Sequence, residues 1–116
     1  MGFNTELVNR PPAVAGTFYA TDGERLANDV KNLFAQGTAC KNLHHVNAVI
    51  APHAGYAYSG QIAASAYNQL SRGIIYTNVF LIGTSHQMVF DGAGLYSDGN
   101  FITPLGLAKV NIQLNR

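Results

Sequence analysis

Charge is scarce in this sequence: Asp, Glu, Lys and Arg make up 11% of its 116 residues, against roughly 25% in an average globular domain. A small independent domain covers itself with polar side chains, so the deficit implies that part of the surface belongs against another subunit or another part of the polypeptide. The basic residues do not cluster and the net charge is +1. That excludes the electrostatic footprint of a nucleic-acid binder and a polybasic membrane patch. No apolar run approaches the ~20 residues of a membrane-spanning helix, and Met1-Gly-Phe-Asn-Thr-Glu6 lacks the basic and apolar regions of a signal peptide. The expected location is cytoplasmic, with neither nucleic acid nor membrane as partner. Cys40 is the single cysteine, which rules out an internal disulfide and fits a reducing compartment. Solenoid repeats and low-complexity tracts are also missing, and the length suits one modest domain.

What is present reads as a single α/β unit. Residues 1–20 form an extended lead-in, because Pro11-Pro12 excludes helix there. Thr21-Asp-Gly-Glu24 has the spacing of a capping box. Leu26, Val30, Leu33 and Phe34 then recur on one helical stripe that Gly37 ends, predicting a helix over about 22–36. A strand is predicted at 46–51. After a Pro52–Gly60 loop, Ile62, Ala63, Ala66, Tyr67 and Leu70 share a helical face that stops near Ser71-Arg72-Gly73. A second strand is predicted at 78–83. Strand, helix and strand in that order make a right-handed βαβ unit with parallel neighbours. Beyond it the pattern weakens, with turn signals at Asp91–Gly94 and Asp98–Asn100, a short strand at Gly94–Tyr96 and partial alternation over Leu107–Ile112. The expected architecture is a layered sheet with a parallel βαβ core flanked by helices, 21–116 forming the α/β portion of an interrupted domain.

The two predicted strands carry the chemistry. Val46-Asn-Ala-Val-Ile-Ala-Pro-His53 and Asn78-Val-Phe-Leu-Ile-Gly-Thr-Ser-His86 each place a histidine two or three residues past a buried-type strand. Parallel neighbours about 4.8 Å apart would bring both imidazoles to the sheet edge where open α/β sheets bind ligands. Neutral imidazole is a common ligand of first-row metals, although two fall short of the three protein ligands of most catalytic sites. Cys40 precedes the first strand and His53 follows it, which separates them by roughly 20 Å at ~3.3 Å per residue; a half-buried thiol is the simpler role. His44 and His45 share that objection and read as solvated loop residues. Asp91 is on the right side, but Asp-Gly is a turn. Gly55-Tyr-Ala-Tyr-Ser-Gly60 leads into a helix whose amides attract anions, with Tyr56 and Tyr58 as pocket candidates and Ser59 as a capping candidate. Ser85 lacks a nucleophile elbow.

Taken together, these segments resemble the Memo-like family, the Memo component (system protein B) of the AmmeMemoRadiSam set. The resemblance rests on Arg10-Pro-Pro-Ala-Val-Ala-Gly-Thr-Phe-Tyr19, on Ala51-Pro-His-Ala-Gly-Tyr56 with Ser59-Gly60, Ala63, Ala64, Ala66 and Tyr67, on Gly83-Thr-Ser-His86 and on Thr103-Pro-Leu-Gly106. It implies a fold similar to class III extradiol ring-cleavage dioxygenases, here as an N-terminal half. It also implies His53 and His86 as metal-binding histidines for iron or copper, and Phe18 as an aromatic wall of the same pocket; Tyr56 and Ser59 are the further pocket candidates from the loop reading above. Family members are more than twice as long, and their later half supplies a third ligand, a Cys. Tyr19 is followed by Ala20 where the family commonly has proline. The expected function is a metal-dependent redox or oxygenase-type protein with an incomplete site in this chain. The alternative is a non-enzymatic module binding an anionic peptide or metabolite. An unidentified small molecule or peptide, a second copy of the chain, or the absent half are the expected partners.

Overall fold

A computed structural model describes residues 7–41, 45–70 and 73–114. Four elements appear in chain order: helix α1 (Gly23–Gln36), helix α2 (Tyr56–Tyr67), strand β1 (Phe101–Thr103) and strand β2 (Gly106–Ala108). The result is a small mixed α/β unit in which the two helices pack together and the strands form an antiparallel hairpin.

Helix α1 starts one residue later than the capping-box reading suggests. Asp22, not Thr21, is the N-cap, and its carboxylate accepts from the Arg25 amide at 2.8 Å. The helix closes at Gly37, whose amide donates to the Leu33 carbonyl. Leu26 is its one buried side chain. Gly37 is needed for room and not for an unusual φ: a Cβ there would meet the Ser65 backbone nitrogen at 2.9 Å. Across the same contact, a Cβ at Gly60 would meet Leu33 Cδ1 at 2.8 Å. The two helices therefore approach closely because α2 presents small residues to the bulk of α1.

Polar side chains of α2 and of the two residues after it also hold the end of α1. Asn68 Nδ2 donates to the carbonyls of Phe34 and Thr38, and Gln61 Nε2 donates to that of Gln36. The Thr38 amide donates to Ser65 Oγ at 2.8 Å, and the Lys41 amide to Gln69 Oε1 at 3.0 Å. Carbonyls left over at a helix C-terminus need such partners, and here a neighbouring helix supplies them.

The C-terminal region departs from expectation. The hairpin turn is Thr103-Pro-Leu-Gly106, where Thr103 Oγ1 donates to the Gly106 carbonyl and accepts from the Leu105 amide. Gly94–Tyr96 is not a strand, and the alternating 107–112 run contributes only the start of its length to β2. The lead-in is extended as expected and also pairs: Val8 and Arg10 donate to the carbonyls of Asp98 and Asn100, and the Ile102 amide donates to Arg10. The Tyr96 ring and the Arg10 guanidinium pack on Phe101.

The expected parallel βαβ core is the main correction. Among the described residues, 46–51 and 78–83 belong to no ladder. Ile50 is 98% exposed and Ile82 97%. Apolar composition specifies a strand that can be buried, but a ladder also needs flanking strands and covered faces; neither run finds them here. Among the described residues no helix is long and apolar enough to cross a membrane.

Candidate functional site

The site begins where the Arg10–Tyr19 block meets α2. The 14–19 segment turns on itself, with the Thr17 and Phe18 amides donating to the Val14 carbonyl and Gly16 donating to Tyr19. The Phe18 carbonyl then accepts from the Tyr56 amide at 2.8 Å, at the first residue of α2. This bond draws the helix start forward into the predicted loop, so α2 opens at Tyr56 with Gly55 as its N-cap. Ser59 is thus inside the helix and not its cap. Its buried hydroxyl donates to the Ala54 carbonyl at 3.0 Å, which holds the Ala54–Gly55 peptide, one residue beyond His53.

Two residues before that N-cap, His53 meets His86. Their Nε2 atoms are 3.0 Å apart, and the ring centroids are 5.2 Å apart with a 52° tilt. The convergence that their offsets predict occurs, though not at the edge of a ladder. Both residues are exposed. Among the described residues, no group of three or more His, Cys, Asp or Glu side chains is placed to hold a metal ion. Cys40 is half-buried, as expected. His45 is exposed, and His44 lies outside the described residues. Asp91 sits in a bend beside Gly92, whose φ is +101°. Ser85 Oγ donates to the Met88 carbonyl at 2.6 Å and accepts from its amide, so it closes a local turn.

His53 also lines a cavity of about 320 Å³ together with Phe18, Tyr56 and Ser59. Tyr58 does not join them and is 90% exposed. Tyr19, Phe34 and Tyr67 complete the aromatic lining, and the Tyr19 and Tyr56 rings lie 5.6 Å apart. Desolvation holds the Tyr56 hydroxyl above its ordinary 10.0, and the neighbouring Tyr19 and Tyr67 add to the shift. Sequence reading missed Tyr67 as a site residue, yet the signal was there: Tyr56, Gly60, Ala63 and Tyr67 recur at helical spacing on one face. The anion cradle expected at the start of α2 has little capacity left. The Tyr56 amide is bound to Phe18 and the Tyr58 amide to the Gly55 carbonyl, and no Lys or Arg lines the cavity.

The family described as Memo-like protein matches residues 10–116. The chain belongs to the Memo-like family. It is 37% identical over 112 residues to a MEMO1 family protein of Caldivirga maquilingensis, covering 90% of this chain and 40% of that protein. A MEMO1 family protein of Methanothermobacter thermautotrophicus is likewise 37% identical, with the same shares covered. One from Pyrococcus abyssi is 32% identical over 105 residues, covering 90% of this chain and 36% of its own length. The chain spans about two fifths of the length of these curated relatives. No solved structure matches it.

Proposed function

We propose that this Memo-like chain carries two protein ligands, His53 and His86, of a first-row metal centre used for redox or oxygenase-type chemistry. The observation that supports the reading is the 3.0 Å separation of the two Nε2 atoms. Two nitrogens each ~2.1 Å from one ion stand ~3.0 Å apart at a right angle and ~3.4 Å apart at the tetrahedral angle. The spacing fits adjacent positions on a six-coordinate ion, and imidazole suits iron and copper.

The residues around the pair serve its geometry. Without an ion, the contact requires one ring to donate an Nε2 proton to the other; ligation requires both Nε2 lone pairs, so that proton moves to Nδ1. Ser59, by binding the Ala54 carbonyl, limits the swing of the His53 backbone. Phe18 and Tyr56 place an aromatic wall beside the His53 ring. Iron or copper, when bound, supplies single-electron chemistry and open positions for a small substrate. The apolar runs that carry the histidines have the composition of buried parallel strands, and we infer that they adopt that pairing when flanking strands cover them.

Anaerobic titration with Fe(II), and separately with Cu(II), tests the assignment. Saturable binding by the chain that is lost in both His53→Ala and His86→Ala is the expected result. Binding that survives either substitution unchanged refutes it.

A further inference from the structure

We propose that the cavity between α1, α2 and the 14–19 turn is a binding site for a neutral, aromatic small molecule. The inference goes beyond the metal reading and does not depend on it, because His86 is not part of the cavity lining.

The cavity has a physical origin in the helix pair. On its α1-facing side α2 offers Gly60, Ala63 and Ala64, while α1 contributes Leu33 and Phe34. Leu33 fills the space over Gly60, but nothing of comparable size projects from Ala63, and the gap continues to the Phe18 turn. Its volume of about 320 Å³ falls at the lower end of small-molecule sites, which run from roughly 300 to 1,000 Å³. That size suits a single ring with one substituent.

The lining decides the class of ligand. It contains no Asp, Glu, Lys or Arg, so a charged molecule would lose its hydration without gaining a partner. Rings from Phe18, Tyr19, Tyr56 and Tyr67 surround the space, and aromatic side chains favour stacked or edge-on contact with another ring. The polar groups within reach are the His53 imidazole, the tyrosine hydroxyls and the remaining acceptor capacity of Ser59 Oγ, whose proton is committed to Ala54. They can orient one hydroxyl or carbonyl and are too few for a polyol. A ligand seated there would lie against the same His53 ring that meets His86.

Fluorine NMR on the metal-free chain tests the proposal with a matched series: 4-fluorobenzyl alcohol, 4-fluorobenzoate and 4-fluorobenzylamine. The alcohol is expected to bind saturably, and the anion and cation at least tenfold more weakly. Cyclohexylmethanol is expected to displace the alcohol poorly. Ala63→Phe fills the cavity and should abolish binding; Ala63→Leu, a milder change, should weaken it, with circular dichroism reporting whether each variant folds. The binding is measured with no metal added, so the metal reading can fail while this one stands. The proposal is overturned by equal binding of either ion, by equal displacement with cyclohexylmethanol, or by no saturable binding of the alcohol. Unchanged binding in a folded Ala63 variant also overturns it.

Discussion

The Nε2 atoms of His53 and His86 stand 3.0 Å apart although 33 residues separate them in the chain. On the His53 side the Phe18 carbonyl holds the first amide of α2, and Ser59 holds the carbonyl of Ala54.

Because each imidazole alone is a single exposed ligand, the two should act as a unit. His53→Ala, His86→Ala and the double variant are expected to weaken Cu(II) binding to the same degree, whereas independent sites would give additive losses. Electron paramagnetic resonance of the copper-loaded parent should show coupling to two imidazole nitrogens, and of either single variant to one at most. Additive losses in the double variant would show that the rings bind separately.

The two close approaches between the helices predict an order of damage. At Gly37 an added Cβ meets the backbone of Ser65 and Ala64, which cannot yield without moving α2. Gly37→Ala should therefore cost about 1–3 kcal/mol, the usual penalty of overpacking. At Gly60 the added Cβ meets the end of the Leu33 side chain, which can rotate, and the helix gains up to about 1 kcal/mol by losing a glycine. Urea midpoints followed by circular dichroism should rank Gly37→Ala well below Gly60→Ala, and the reverse order would contradict the packing described.

What the sequence made legible follows the range of the forces involved. Helix α1 was readable because an apolar stripe and a closing glycine are local. The matching places of His53 and His86 after two apolar runs were also visible, and the two rings do meet, although the runs form no strands. The start of α2 was not, since Tyr56 enters the helix through a bond to Phe18, 38 positions earlier. The runs at 46–51 and 78–83 carry strand composition, but composition does not state which segments will flank them. Tyr67 was not read as lining a pocket because an aromatic side chain on a small-residue helix looks like ordinary packing.

Ser65 tests the polar clasp on the end of α1. Its hydroxyl accepts from the Thr38 amide and donates to the Gln61 carbonyl. Removing it leaves the Thr38 amide without this acceptor, so Ser65→Ala should lower stability by about 0.5–1.5 kcal/mol. Hydrogen exchange should quicken at Thr38 in particular, with the interior of α1 slowed or quickened only as global stability changes. Unaltered exchange at Thr38 would mean that this bond does not persist in solution.

Tyr56 gives the pH prediction. Its hydroxyl is raised above 10.0 chiefly by desolvation and then by Tyr19 and Tyr67, so the folded state retains a proton that the unfolded chain releases at lower pH. The stability this provides is complete below the unfolded value and disappears as pH rises through the folded one. Absorbance titration of tyrosinate should show a late component that Tyr56→Phe removes. Alkaline unfolding should also begin at higher pH in Tyr56→Phe. A late component that survives the substitution would assign the shift to another tyrosine.

The last prediction concerns the exposed apolar run. Val79, Phe80, Leu81 and Ile82 are 72%, 77%, 87% and 97% exposed. The sequence from Val46 to Phe90 contains Arg72 as its single Asp, Glu, Lys or Arg. Native edge strands avoid pairing with other chains by carrying charges, prolines or bulges, and this run has none of the first two. Concentration-dependent association of the purified chain is therefore expected in light scattering. Leu81→Lys and Ile82→Lys introduce the missing charge at positions already in solvent, where a substitution usually changes stability by less than about 0.5 kcal/mol. Each should raise the concentration at which association begins several-fold. Tyr58→Lys is the matched control: Tyr58 is 90% exposed but lies on helix α2, whose backbone is already paired within the helix. If the run pairs as a strand, the control should associate like the parent. Equal relief by Tyr58→Lys would instead attribute association to general surface hydrophobicity, and no relief by either lysine in the run would place the contact elsewhere.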